Sequence, residues 1–300
     1  MRTRIFSLLL LLSAATSSVV AQDLLEILDN ERKVTSEYTT ATFKFSRITF
    51  GHAVETRKDG TLDVFVSSRF WNTPADRSQS FFAERLSSRI AIEYGLSDRF
   101  LVGVGGTTFD GRFDGFLKYK LLRQRADGKG SPFSMSLFQN MSYFSEGLAA
   151  NGFDVEDSNR TSFTTQLLIA RKFSPRFSFQ LSPTFVHRGL VYEEEDPQSH
   201  FALGFGGRYR LGGHVFLVSE YYYVANPIRS VDTYGAFSLG VNWELSDVML
   251  QFMLTNAQSM VEDAFIVDTR NNFNFKAPNL NFGFHFTYTF HLKKELKLAE

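Results

Sequence analysis

The sequence contains no cysteine. That removes disulfides and thiolate metal sites, and with them the small disulfide-stapled secreted folds. It has no surplus of charge of either sign: 32 Lys and Arg stand against 32 Asp and Glu. A strongly basic nucleic-acid-binding protein is therefore not expected. Long apolar runs are also missing. Beyond the N-terminal stretch nothing approaches the roughly eighteen consecutive apolar residues of a membrane-spanning helix, which excludes a helical membrane protein. No phosphate-binding loop or dinucleotide fingerprint occurs, because Gly103-x-Gly105-Gly106 falls inside a strand pattern. There the glycines let the wall bend or make room for a bulky inward neighbour.

What the chain has in quantity is aromatics, 33 Phe and 11 Tyr. They are arranged with a period of two. Phe282, Phe284, Phe286, Tyr288, Phe290 and Leu292 alternate with Gly283, His285, Thr287, Thr289 and His291. Successive side chains of a strand point to opposite faces, so one face is apolar and the other small and polar. Mean hydropathy stays near neutral because the two faces cancel. Residues 1–21 read as a signal peptide: Arg2 and Arg4, an apolar stretch over 5–12, then Val19-Val20-Ala21 before Gln22. No cysteine follows to carry a lipid anchor.

The alternation recurs in segments of about ten residues, the length of a tilted strand crossing a membrane. They run over 61–71, 86–95, 100–109, 113–123, 132–144, 161–173, 176–191, 200–211, 214–224, 234–244, 248–255 and 280–292. Short turns at 96–99, 174–176, 212–213 and 245–247 alternate with longer polar links at 72–85, 145–160, 192–199, 225–232 and 256–279. Two connections fit less well: 110–112 is short for an outer loop and 124–131 long for a periplasmic turn. The expectation is an all-β, transmembrane, antiparallel up-and-down barrel over 61–292 with about twelve strands and both termini in the periplasm. A fourteen-stranded barrel would follow if 39–60 were absorbed into the sheet. Residues 23–32 read as a short helix, 22–60 as a periplasmic N-terminal segment or plug, and 293–300 as a periplasmic tail. Aromatics near strand ends, Phe70, Trp71, Phe100, Tyr143, Phe173, Phe177, Tyr221, Tyr223 and Trp243, suit the two interfacial girdles.

Several stretches resemble a bacterial outer-membrane β-barrel family of unknown function. They are Ala41-Thr42-Phe43-Lys44, Arg47-Ile48, Gly51-His52-Ala53-Val54-Glu55-Thr56, Ser68-Arg69-Phe70, Glu93-Tyr94-Gly95-Leu96-Ser97-Asp98-Arg99 and Asp114-Gly115-Phe116-Leu117-Lys118-Tyr119-Lys120 with the residues through Gln124. The likeness extends over nearly the whole chain after the signal peptide and is densest before Gln124. It implies fold and compartment; it transfers no activity and no site residues.

Extrapolating the alternation puts Arg69, Arg89, Lys118, Lys120, Lys172, Arg188, Arg208 and Arg210 on the lumen face, with Asp63, Glu93, Glu220 and Glu244. That is about eight basic groups against about four acidic ones on a face expected to be polar. Two readings follow. In one, the surplus makes a water-filled pore with mild anion preference; in the other, the charges pair across the lumen and fill it. The excess of positive charge favours a conduit. Arg69, Arg89, Lys118, Lys120, Arg208 and Arg210, with Glu93 and Glu220, are then the selectivity residues. Within the N-terminal segment, Phe43 and its neighbours supply apolar anchors and Arg47, His52 and Glu55 polar contacts, for a plug or a docking site.

No catalytic constellation is expected. Ser182 and His187 are the nearest nucleophile–base pair, and their opposite parity puts them on different faces. The six histidines form no ligand pair, so neither a metal nor another cofactor is expected. The acidic run Glu193-Glu194-Glu195-Asp196 suits hard cations or a solvated loop. The expected function is passive or plug-gated passage of a small polar or anionic solute by a non-enzymatic barrel embedded in outer-membrane lipid. The alternative is a non-conducting barrel that docks a periplasmic protein.

Overall fold

Strands with one apolar and one polar face have two ways to hide from each solvent, and closing the sheet on itself satisfies both faces and abolishes the edges. The computed structural model describes residues 38–71, 84–127, 129–147, 159–273 and 280–293. Twelve strands form a closed antiparallel barrel. They are β1 (Thr61–Trp71), β2 (Arg85–Ser97), β3 (Phe100–Thr107), β4 (Arg112–Leu122), β5 (Ser134–Phe144) and β6 (Thr161–Lys172). The ring continues with β7 (Phe177–Arg188), β8 (Ser199–Gly212), β9 (Val215–Val224), β10 (Phe237–Glu244), β11 (Val248–Thr255) and β12 (Asn281–His291). Each strand pairs with its sequence neighbours, and the ring closes between β1 and β12, where Phe65 lies opposite Thr287. Residues 39–60 join no strand of the ring, so the barrel has twelve strands and not fourteen.

Strand ends differ from the sequence pattern by a few residues, for local reasons. The third segment stops at Thr107, whose hydroxyl bonds Asp110 and accepts the Arg112 backbone N–H, closing a tight link to β4. The outward face carries Ile90, Ile92, Val104, Phe113, Leu117 and Phe201, all left exposed by the protein itself. Such a continuous apolar belt is a liability in water and the natural surface in lipid. No helix among the described residues is long and apolar enough to cross a membrane.

Most of the aromatics near strand ends lie on the outside: Tyr143, Phe173, Phe177, Tyr223 and Trp243 are exposed. Trp71 is a correction. It shares the inward parity of Arg69, is buried, and meets Phe109 edge-on at 4.8 Å between ring centroids. Arg171 is exposed on the outer face beside a turn, its guanidinium 5.1 Å from the Phe173 ring centre. The signal peptide, the helix read at 23–32 and the tail beyond 293 lie outside the described residues.

Candidate functional site

The inward positions of the wall include many hydroxyl and amide side chains, among them Ser67, Ser136, Thr164, Ser178, Gln180, Ser182, Ser238, Asn242, Gln251 and Thr287, interspersed with charged and large apolar ones. Twelve strands enclose more space than such side chains fill; eight is the number at which a barrel wall fills itself. Two segments that are not part of the wall occupy the remainder.

The first is residues 39–60. It starts beside the short turns, where the Thr39 N–H donates to the Gln124 carbonyl and Lys172 Nζ to the Thr40 carbonyl. It rises to a tight hairpin over 46–53 and returns to Gly60 at the foot of β1. The Ile48 N–H donates to the Gly51 carbonyl at 3.0 Å and the Ala53 N–H to the Ser46 carbonyl at 2.8 Å. Phe43, Ile48, Ala53 and Val54 pack with Leu101, Phe116, Phe138, Leu168 and Val218 of the wall. An irregular segment has no ladder of its own, so its buried backbone groups need partners. The wall supplies them. Lys118 Nζ donates to the carbonyls of Ser46 (3.0 Å) and Ala53 (2.9 Å), so one lysine holds both arms of the hairpin. Gln180 accepts from the Val54 N–H and donates to the His52 carbonyl, and Gln251 donates to the Ile48 carbonyl. Glu220 receives the tip. One carboxylate oxygen accepts the N–H groups of Thr49 (2.8 Å), Phe50 (2.9 Å) and Gly51 (3.0 Å) as well as the Thr49 hydroxyl. A Cβ at residue 51 would overlap the Tyr222 hydroxyl, so only glycine allows this approach.

The second occupant folds in from the opposite end. Within the long link from β11 to β12 lies a helix, α1 (Glu262–Val267), every residue of which is buried. Phe265, Ile266 and Val267 pack with Val186, Ala202, Tyr222 and Ala236. The two occupants meet at mid-lumen. The Phe50 and Phe265 rings lie 4.7 Å apart, Arg47 Nη1 is 3.2 Å from Glu262, and the His52 ring approaches the same carboxylate at 3.5 Å. His52 itself sits against Phe116 and Phe138 at 4.4 and 4.2 Å.

The expected lumen residues fall as follows. Arg69, Arg89, Lys118, Lys120, Arg208, Glu93 and Glu220 are buried on the inner side. Arg89 binds Asp114, Lys120 binds Glu55, Arg208 binds Glu244, and Glu93 takes both Ser46 and Arg47. Arg210 is a correction: it has the inward parity but lies past the rim, exposed, donating to the Gly213 carbonyl. Of the N-terminal residues, Phe43, Arg47 and His52 are buried in the lumen and Glu55 is half-buried. Ser182 is buried, while His187 pairs with Ser199 toward the outside.

The positive surplus is smaller than the strand pattern implies. Buried charges on the described strands are seven basic (Arg69, Arg89, Arg112, Lys118, Lys120, Arg188, Arg208) and five acidic (Asp63, Glu93, Asp114, Glu220, Glu244). Glu262 and Asp263 of α1 offset the difference; Asp263 takes Arg112 at 2.6 Å. Asp114 has the parity of Lys118 and Lys120 and was legible. Glu262 and Asp263 were not, because nothing local says that a loop turns inward.

Above α1, on the long-loop side, a cavity of about 210 Å³ is lined by Phe109, Asp110, Arg112, Phe144, Tyr192, Asn256, Asp268 and Arg270. Burial works to raise the Asp268 pKa, but Arg188 and Arg270 outweigh it and hold the carboxyl below its ordinary value. Burial and that same carboxylate push the Tyr192 phenol up. Asp196 of the acidic run spends its carboxylate on the Ser230 hydroxyl and the N–H groups of Arg229 and Ser230, tying two loops together.

Among solved structures, the KdgM porin is similar at 9% identity over 77% of this chain and 99% of its own, with a TM-score of 0.47. An outer membrane channel from Pseudomonas putida F1 is similar at 12% identity over 79% of this chain and 98% of its own, also at 0.47. Outer membrane phospholipase A from Escherichia coli is similar at 11% identity over 76% and 92%, at 0.42. A channel and an enzyme stand side by side among these, and none lends an activity to this chain. No curated protein matches the sequence. The model of the membrane-bound β-barrel domain family DUF5777 matches residues 43–290. The span takes in both the hairpin in the lumen and the whole ring of strands, and the chain belongs to this family of bacterial outer-membrane barrels.

Proposed function

We propose that the protein is a gated, non-enzymatic conduit for a small polar or anionic solute, closed in this structure by its own chain. One observation carries the reading. Much of the inner wall is small and polar, and two segments outside the wall, residues 39–60 and α1, fill lumen space that it leaves. A barrel meant to be solid would fill itself with wall side chains. Residues 39–60 form the gate proper, because the segment lies outside the ring of strands and much of its hold on the wall is hydrogen bonds that water can replace. By the alternation of short turns and long loops, the short-turn end faces the periplasm and both termini lie there.

Charge follows the same logic. With both occupants displaced, the wall keeps its basic surplus and favours anions. With only 39–60 displaced, Glu262 and Asp263 remain and that preference is lost. The second reading, a non-conducting barrel docking a periplasmic protein, loses most of its anchors. Phe43, Arg47 and His52 are buried among wall side chains, and of the four docking residues Glu55 alone stays within a partner's reach.

The test is planar-bilayer conductance of the refolded chain against a variant lacking residues 39–60, both in a salt gradient. The expected outcome is silence or rare openings for the full chain and discrete steps for the deletion. A deletion variant that is folded, inserted and silent would overturn the conduit reading.

A further inference from the structure

Four of the buried arginines on the wall have carboxylate partners: Arg89 with Asp114, Arg112 with Asp263, Arg188 with Asp268 and Arg208 with Glu244. Arg69 differs from them. Its side chain is fully buried, yet among the described residues it makes no ion pair. One nitrogen, Nη1, lies 2.6 Å from His285 Nε2, and Nε and Nη2 have no partner. The buried carboxylates of this part of the lumen are committed elsewhere: Glu93 to Arg47 and Ser46, Glu220 to the hairpin tip, Asp114 to Arg89. The wall nevertheless makes room for the guanidinium. Gly283 lies opposite Arg69 on β12, and a Cβ there would come within 2.8 Å of Nη1.

Two more unpartnered groups flank it on the same inner face. Ser87 of β2 is in direct register with Arg69, and Asn281 of β12 sits two residues from Gly283. Both are buried, and Ser87 Oγ and Asn281 Nδ2 have no partner. The guanidinium and amide nitrogens can only donate, and the hydroxyl is free to donate. A water molecule would answer some of these donors but not the charge, and an unpaired buried cation is among the costliest arrangements a protein can hold.

We propose that Arg69, Ser87 and Asn281 form a binding site for one small anion, a halide or a compact carboxylate. It lies in the seam where β1, β2 and β12 close the barrel. The anion supplies the counter-charge that the wall omits, and it bridges the first and last strands beneath the long-loop rim. The site does not depend on whether the lumen conducts.

Thermal unfolding of the refolded full-length mature chain tests it, in sodium chloride, sodium bromide, sodium formate and sodium gluconate at equal ionic strength. Chloride and bromide should raise the midpoint saturably over gluconate, which is too large for an enclosed site. Formate separates the two anion types: stabilisation matching the halides marks a site open to carboxylates, and none marks a halide site. In Arg69→Gln the halide dependence should vanish. Ser87→Ala and Asn281→Leu serve if that variant does not fold. Each removes one charge-assisted donor, and the half-saturating halide concentration should rise about tenfold. Equal midpoints in all four salts, or a halide response unchanged in these variants, would overturn the proposal.

Discussion

The two segments that occupy the lumen solve the same problem by opposite means. Both bring backbone into a space without bulk water, where every N–H and C=O needs a partner. Residues 262–267 solve it internally, by forming a helix, and present apolar side chains to Val186, Ala202 and Tyr222. Residues 46–53 do not, and the wall provides a lysine, two glutamines and a glutamate to answer their backbone groups. The wall's polar residues are therefore distributed by need. Around the irregular chain they answer backbone groups; around the helix they answer side chains instead, Arg112 and Ser142 taking Asp263 and Arg188 taking Asp268. The hairpin is held by both means, since Ile48, Ala53 and Phe50 are also packed among apolar side chains. Its hydrogen-bonded share, however, is exchangeable for water, which makes the hairpin the better gate and α1 the better stop.

Glu220→Leu breaks the comparison hardest. It leaves three backbone N–H groups without an acceptor, at roughly 1–3 kcal/mol each before relaxation, and the Thr49 hydroxyl with Ser238 alone. Hydrogen exchange of amides 49–51 should accelerate at least a thousandfold, while amides 264–268 change little. Equal acceleration in both segments would show that they open as one body. Phe265→Ala is the reciprocal change. It removes a buried ring that meets both Phe50 and Tyr222, a loss of about 3–5 kcal/mol. The helix amides should then lose protection more than the hairpin amides do.

Where the two meet, Arg47 and Glu262 allow a finer test. Arg47→Met leaves Glu262 facing the His52 ring, Glu262→Gln leaves Arg47 to its pair with Glu93, and the double change removes the contact between the two segments from both sides. The coupling read from a double-mutant cycle should be about 1–3 kcal/mol. A coupling near zero would mean that the hairpin and the helix share a boundary but no energy, and that either can move alone.

The barrel was legible because a period of two over ten residues has one physical meaning, and twelve repetitions of it leave little else to build. Parity also placed Arg89, Lys118 and Glu220 correctly. Other readings fell short of the structure or stopped short of its detail. Arg210 has the inward parity but stands beyond the rim, because parity gives the face and not the depth. Trp71 shares the parity of Arg69, and reading it as a girdle residue followed its chemistry against its register. Gly103 and Gly105 lie where Cβ atoms would strike Phe116 and Arg89, so they clear space for inward side chains of neighbouring strands. The sequence pattern suggests that role but does not name the neighbour. Least legible was the meeting of Arg47 with Glu262, residues 215 apart that are joined only by the closed ring around them.

The smallest expected effect lies at the outer edge of the helix segment and depends on pH. Asp268 accepts Arg188 at 3.2 Å and the Tyr192 hydroxyl, and pairs with Arg270. Burial alone would raise its pKa; the two arginines prevail, and the folded value lies below the ordinary 3.8. Because the folded value is the lower one, its stabilising contribution is complete above the unfolded pKa of about 4 and is lost as pH falls through the folded value. Protease cleavage within residues 256–273 should therefore increase on acidification below pH ~4, while the hairpin, held by Glu220 deeper in the lumen, lags behind. Asp268→Asn should remove the acid-dependent part and leave the helix segment equally open across that range. If acid loosens the hairpin first, the order of the two segments is reversed, and the outer one is the more firmly seated.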